Sequence, residues 1–486
     1  MNLPGTQDYL AALPEIVVAT LACIVLLIDL WSNDRERLLT WLATQFTLLV
    51  GIVLIIVQLS TDVTYAFAGT YVKDILSDVL KLFIFIGAGV AFLYMREYLR
   101  IHNEMKGEYF TLGLFAVLGM MVLASASHMI TLYLGLELLS LSLYALVAMR
   151  RDSAQSAEAA MKYFMLGAIA SGMLLYGMSM IYGATGSLDL REVADAVAQA
   201  RSDDLILIFG LVFIVAGIAF KLGAVPFHMW APDVYQGAPT AVTLFLATVP
   251  KLAAFAMLMR LLVDGLGPLH DQWQGMLIIL AVLSMAIGNL VAIAQENIRR
   301  MLAYSTISHV GFLLLGVLSG TDQGYAAALF YTVVYMIMGL GAFGVLVMLG
   351  RAGFEADRLS DIKGLNQRSP WLAGVMLVMM FSMAGVPPFL GFWAKFAVLQ
   401  EVVAVGLVWL AVAAVVFSII GAFYYLRIVK LIYFDEAEEQ APIRGSSPMR
   451  VMVSSNGLVV LLFGLFPAPL LGICIAVFTR IELVIG

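Results

Sequence analysis

The sequence predicts an all-α integral membrane protein with about fourteen transmembrane helices. Three observations carry that prediction. Of 486 residues, 62% are hydrophobic and only 12% are charged, about half the charged fraction of a soluble domain. Mean hydropathy is +0.97, too much apolar surface for a soluble core to enclose behind so few polar residues. The apolar runs are continuous rather than alternating, which excludes a transmembrane β-barrel. At about 20 apolar residues per crossing and short connections, the length accommodates about fourteen crossings.

Hydropathy and charge together place spans at residues 12–30, 38–58, 76–95, 110–126, 128–149, 158–183, 205–231, 240–262, 276–294, 301–319, 324–350, 371–400, 404–432 and 454–479. The first apolar run, Leu13 to Leu30, lacks a basic flank and a small-residue cleavage site, so it reads as a retained helix. An even number of spans puts both termini on one side, and the distribution of Lys and Arg chooses that side. One set of loops holds seventeen cations: Arg35, Arg37, Arg96, Arg100, Lys106, Arg150, Arg151, Arg299, Arg300, Arg351, Arg358, Lys363, Arg368, Arg427, Lys430, Arg444 and Arg450. The opposite set holds five: Lys73, Arg191, Arg201, Arg260 and Arg480. Both termini are therefore expected to face away from the cytoplasm.

Other classes fall on the same composition. The net charge of −6 is spread along the chain, with no basic patch for nucleic acid. Cys23 and Cys474 lie in apolar runs near opposite ends. Two thiols supply neither the four ligands of an iron–sulfur cluster nor a Cys-rich zinc site.

The chain has 27 Lys and Arg. The five outside both loop sets are all lysines within spans: Lys81, Lys162, Lys221, Lys251 and Lys395. A charge at the bilayer centre costs at least about 2.5–3.5 kcal/mol. Lys81 has a structural reading: it stands near the outer end of the third span, three residues after Asp78, and can snorkel or pair locally. Lys162, roughly two turns into the sixth span, is open to snorkelling as well as to function. Lys221, Lys251 and Lys395 are harder to explain structurally. Each sits in apolar sequence beside a helix breaker, respectively Pro226, Pro250 and Pro387-Pro388. Proline removes a backbone donor and obstructs the carbonyl four residues earlier. Backbone freed at membrane depth is tolerated where it is buried or lines a wet cavity, and broken helices of this kind mark ion sites in transporters.

Glu137 is about nine residues from either end of the fifth span, hence near mid-bilayer, and is the natural counter-ion for a buried lysine. A carboxylate partner favours the charged lysine and burial favours the neutral one. Opening the pair or admitting water then shifts the balance, as proton acceptance and release require. His309, near the middle of the tenth span, suits a relay or a neutral hydrogen bond to a neighbouring helix. His228, after the break in the seventh span, has the same two readings. His128 begins the fifth span, and His102 and His270 are placed in loops. No two histidines have the i, i+4 spacing of a metal site.

Some patterns do not carry function. Gly339-Leu-Gly-Ala-Phe-Gly344 matches the dinucleotide fingerprint but lies in an apolar helix without the required preceding strand. Its small residues fit close helix packing. The run Asp435 to Glu439 reads as a solvated loop. A weak repeat does: Val225-Pro-Phe-His-Met-Trp-Ala231 and Val386-Pro-Pro-Phe-Leu-Gly-Phe-Trp-Ala394 share Val-Pro, Phe and Trp-Ala five spans apart. An odd separation inverts the two units, an architecture built around buried charge in transporters. Lys221 precedes its motif and Lys395 follows the other, so the repeat does not make them equivalent.

These segments resemble a known family. Lys221-Leu-Gly-Ala-Val-Pro-Phe-His-Met-Trp-Ala-Pro-Asp233, Gly237-Ala-Pro-Thr240, Arg300-Met-Leu-Ala-Tyr-Ser-Thr-Ile-Ser-His-Val-Gly311 and Gly385 to Lys395 are similar to the antiporter-like membrane subunits of respiratory complex I. The similarity covers nearly the whole chain. Lys395, the length and the lack of a long C-terminal extension narrow it to one of three paralogues. The resemblance implies inverted five-helix repeats at spans 4–8 and 9–13, with spans 7 and 12 broken. It divides the chain into 1–106, 107–263, 264–436 and 437–486. It implies proton translocation in a bacterial inner membrane through Glu137, Lys221, Lys251 and Lys395, with Lys162 auxiliary. NADH, FMN, iron–sulfur clusters and quinone would be handled by other subunits, and the partners would be other membrane-arm subunits, including antiporter-like paralogues. The alternatives are a stand-alone or Mrp-type cation/proton antiporter, and a scaffold whose charges only join helices.

Overall fold

The computed structural model describes residues 5–32, 35–201, 204–350, 354–437 and 446–479. Expectations for Arg351, Glu438, Glu439, Arg444, Arg480 and the two termini fall outside the described residues. The order is α1 (Thr6–Ala11), α2 (Leu13–Trp31), α3 (Leu38–Gln58), a hairpin of β1 (Thr64–Ala66) and β2 (Tyr71–Lys73), α4 (Ile75–His102), α5 (Glu108–Ala124), α6 (Met129–Val147), α7 (Ala154–Thr185), α8 (Leu190–Gln199), α9 (Leu205–Leu222) and α10 (Trp230–Gly237). Then come α11 (Thr240–Thr248), α12 (Pro250–Leu258), α13 (His270–Ile293), α14 (Ile298–Leu318), α15 (Asp322–Leu349), α16 (Leu365–Arg368), α17 (Pro370–Ala384), α18 (Leu390–Ala404), α19 (Val408–Tyr433), α20 (Ser447–Leu465) and α21 (Ala468–Phe478). Among the described residues, 12 helical stretches are long and apolar enough to cross a membrane.

Prolines and caps explain where spans and helices differ. The seventh span is two helices, α9 and α10, and the twelfth is α17 and α18. The last span begins earlier than expected, because the Ser446 side chain accepts from the Met449 amide and caps α20. It stops at Leu465, before Pro467, and α21 follows. Pro250 does not break its span. Val249 keeps helical angles (φ −60°, ψ −43°), and the Leu252 amide reaches the Val249 carbonyl at 3.1 Å. Helix α4 runs on to His102 and α13 starts at His270, so these two histidines end helices rather than occupy loops.

Helix α15 is the centre, packed against α4, α11, α14, α17, α18, α20 and α21. The Gly339–Gly344 segment allows that closeness. A Cβ on Gly339 would lie 2.7 Å from Thr248 Cγ2, and one on Gly344 would lie 2.7 Å from Tyr94 Cζ. Packing, not nucleotide binding, accounts for these glycines.

Two cations differ from expectation. Arg260 is buried inside the helical stretch Thr240–Gly265, not in a loop. It is held by Asp74 and Asp264, each at 2.8 Å, and by the Ala124 carbonyl at the end of α5. Lys81 does not snorkel. It is 1% exposed and pairs with Glu15 of α2 at 2.6 Å, while Tyr71 Oη accepts at 3.0 Å. Its neighbour Asp78 faces Lys73 at 3.4 Å instead. Lys81→Met should destabilise the chain by about 3–5 kcal/mol by leaving Glu15 buried and unpaired. Glu15→Gln added to it should recover part of that loss, measured as thermal unfolding in detergent.

Candidate functional site

The two helix breaks build matching sites. Helix α9 ends at Leu222 because Gly223 takes a left-handed conformation (φ 79°) and its amide turns back to Ala219 and Phe220. Helix α17 ends at Ala384 in the same way, with Gly385 (φ 86°) reaching back to Phe381 and Ser382. Such caps favour glycine because a Cβ is strained there. Each break leaves the final carbonyl of a half-helix inside the protein, at the negative end of its dipole. Lys251 Nζ donates to the Leu222 carbonyl at 2.6 Å. Lys395 Nζ donates to the Ala384 carbonyl and to Ser418 Oγ, both at 2.9 Å. By hydrogen bonding, the counterpart of Lys395 is thus Lys251, not Lys221.

Lys221 is buried at the end of α9 and donates to Ser140 Oγ on α6 at 3.0 Å. Ser140 lies one turn beyond Glu137, whose charge also acts on Lys221. The contact with α6 therefore runs through a hydroxyl beside the carboxylate. Glu137 itself is half-buried, with Oε1 buried and without a hydrogen-bond partner. It shares its face of α6 with the exposed Ile130, Leu134 and Leu141.

Between Lys251 and Lys395 lies His309. It lines a small cavity with Lys251, Thr306, Tyr331, Thr332 and Tyr335, large enough for about one water at about 10 Å³. Both ring nitrogens are engaged: Nδ1 with Tyr331 Oη at 2.6 Å and Nε2 with Tyr425 Oη at 3.1 Å. Tyr425 Oη continues to Ser305 Oγ at 2.5 Å, and Tyr335 Oη meets Thr306 Oγ1 at 2.6 Å. Helices α14, α15 and α19 converge to bring these hydroxyls around one imidazole. Such a ring can accept a proton on one nitrogen and release one from the other.

The remaining candidates stand apart. Lys162 is 44% exposed and pairs with Glu158 and Asp233, both at 2.8 Å, while Asp233 also binds Arg300 at 2.5 Å. His228 lies in the non-helical segment between α9 and α10, half-buried, with Nδ1 unpartnered and its ring 6.4 Å from Tyr304. No group of three His, Cys, Asp or Glu suited to a metal occurs among the described residues. Sequence reasoning missed Ser140, Ser305, Thr306, Tyr331, Tyr335, Ser418 and Tyr425. Hydroxyls are inexpensive in a helix, so no local pattern separates a wired tyrosine from a packing one. The one available signal was the polar run Tyr304 to His309 in an apolar span.

At the cation-rich end, Glu355 ties together the ends of several helices. It pairs with Arg150 at 2.5 Å and accepts from Tyr98 and Thr240 at 2.5 Å each. Next to it, Arg299 bonds the Ala238 carbonyl at 2.8 Å and Asp357 at 3.2 Å. Burial pushes the Glu355 carboxyl up, but Arg299 and Arg150, with the Thr240 and Tyr98 hydroxyls, outweigh it and hold it down at about 2.

A helical bundle with lysines seated on the ends of broken helices is the build of an antiporter-like membrane subunit. Residues 126–421 match the family described as NADH:quinone oxidoreductase/Mrp antiporter, transmembrane. The NADH-quinone oxidoreductase subunit N of Thioalkalivibrio sulfidiphilus is 58% identical over 96% of this chain and 97% of its own length. A chain of respiratory complex I from Thermus thermophilus superposes with a TM-score of 0.80 at 34% identity, covering 94% of this chain and 98% of that one. A chain of the Mrp complex from Dietzia sp. shares the fold, with a TM-score of 0.82 at 21% identity over 97% of both chains. The chain belongs to the subunit N family of NADH-quinone oxidoreductases.

The Glu355 geometry predicts a pH dependence. A carboxyl held below its ordinary 4.5 adds stability that is complete above about pH 4.5 and is lost as pH falls toward about 2. Glu355→Gln should therefore lower stability by about 2 kcal/mol at pH 7. In thermal unfolding, the difference from the parent should shrink between about pH 4.5 and pH 3.

Proposed function

We propose that this chain is the membrane-arm subunit of a bacterial NADH–quinone oxidoreductase that translocates protons along Glu137, Lys221, Lys251, His309 and Lys395. The observation that carries the reading is the shared seating of Lys251 and Lys395 on half-helix carbonyls with His309 between them. A carbonyl at a helix end stabilises an ammonium without a permanent counter-charge, so the lysine can discharge without leaving a buried anion behind. In this reading Lys221 takes its proton near Glu137, and Lys251 hands it to the hydroxyl-bound imidazole of His309. Lys395, on Ala384 and Ser418, is the next carrier. Lys162, paired at the exposed face, tunes entry, and His228 stands beside the break as a further relay point.

Electron transfer belongs to other subunits, which would hold NADH, FMN, iron–sulfur clusters and quinone. The partners of this chain are then membrane-arm subunits, antiporter-like paralogues among them. The path count rises from 12 to fourteen when α5 and the broken pair α17–α18 are added as crossings. Spans 4–8 and 9–13 form the inverted repeats, within 107–263 and 264–436. In this reading both termini face the periplasm, supported by the cation excess of one loop set, seventeen against four once the buried Arg260 is set aside. A C-terminal reporter active only in the cytoplasm should therefore stay silent.

The decisive residue is Lys251. Arginine keeps the charge but does not deprotonate, and methionine has no charge. Lys251→Met and Lys251→Arg should each lower NADH-driven proton pumping in membrane vesicles about tenfold, normalised to assembled complex. Parent-level pumping by Lys251→Arg would reduce Lys251 to a fixed charge. Sodium- or potassium-dependent transport by the chain expressed alone would favour an antiporter instead.

A further inference from the structure

At the cation-rich end, α15, α17 and α20 surround a cavity of about 300 Å³. Its floor is apolar, formed by the buried Met348, Leu372 and Val453. Arg368 and Arg450 stand on its rim, and Trp371 forms one wall. The Trp371 indole donates to Ser454 Oγ at 2.7 Å, which fixes the ring against α20. Yet 59% of Trp371 remains exposed, as for a tryptophan at a membrane–water boundary. Among the described residues, Arg450 has no carboxylate partner. It also occupies the first turn of α20, where a cation works against the helix dipole. An anion beside it would relieve both conditions.

The surface beyond the cavity identifies the kind of anion. Val451, Leu458, Leu462 and Leu465 form an exposed, mostly apolar face along α20, interrupted by the exposed Ser455. It starts beside Arg450 and extends about 21 Å down the helix, enough to cover one acyl chain. A soluble anion would leave the apolar floor uncovered, whereas a lipid on this site is continuous with the bilayer that this face of α20 meets.

We infer that this cavity binds an anionic phospholipid, with its phosphodiester on Arg368 and Arg450 and an acyl chain along α20. Anionic lipids are drawn to basic pockets at membrane surfaces. This assignment rests on the chain spanning a membrane and is independent of the proton path.

The test is native mass spectrometry of the delipidated full chain in detergent, titrated with phosphatidylglycerol, phosphatidylcholine or inorganic phosphate. The parent should retain one phosphatidylglycerol that Arg368→Gln/Arg450→Gln binds about thirtyfold more weakly, with phosphatidylcholine unaffected. Arg368→Lys/Arg450→Lys should stay within about threefold of the parent, because the lysines keep both charges. Arg450→Gln alone should weaken binding about fivefold, which keeps the test available if the double variant does not fold. Equal retention of phosphatidylglycerol by the parent and a folded Gln variant would overturn the site. So would equal retention of both lipids by the parent. Displacement of phosphatidylglycerol by millimolar phosphate would overturn the assignment to lipid.

Discussion

The contact on which the rest depends is a lysine ammonium resting on the last carbonyl of a half-helix. It occurs twice, at Leu222 and at Ala384, and in both places a left-handed glycine creates it. Without the break, the carbonyl would be spent within the helix and the lysine would need a carboxylate. A buried carboxylate would fix the charge too firmly for exchange and would be expensive to leave alone. A dipole end holds a cation more loosely. The glycines at 223 and 385 therefore decide the surroundings of these lysines.

Around these contacts the protein separates two uses of buried charge. Lys81 with Glu15, and Arg260 with Asp74 and Asp264, are direct ion pairs at 2.6–2.8 Å that join helices. Lys221, Lys251 and Lys395 bond instead to hydroxyls and carbonyls. The first group is neutralised in place and structural. Lys251 and Lys395 are solvated by neutral dipoles, and Lys221 by a hydroxyl beside the Glu137 carboxylate, so none of the three is locked in a direct ion pair. Tyr331 and Tyr425 extend the same solution to His309, engaging both nitrogens without adding charge.

Helix α15 makes the arrangement rigid. Its glycines bring α4 and α11 close, so Lys251 and the tyrosines of α15 face one small cavity. At the cation-rich end, Glu355 ties the start of α11 to the last turns of α4 and to the segment after α6. Elements on either side of the axis are thereby held in register over several helix ends.

What the sequence determined by itself was the membrane class, most of the spans, the five lysines inside them, and the breaks at Pro226 and Pro387-Pro388. These are legible because hydropathy, charge and proline act locally, over one turn to one span. Proline alone misled at Pro250, where the surrounding helices hold the backbone in helical form despite a missing amide. The tertiary structure decided which acceptor each lysine meets: Glu15 for Lys81, Ser140 for Lys221, the ends of α9 and α17 for Lys251 and Lys395. Those partners lie up to 81 residues away in the chain. No local pattern encodes them, because the pairing is fixed by how whole helices pack, and packing is a property of the assembled bundle.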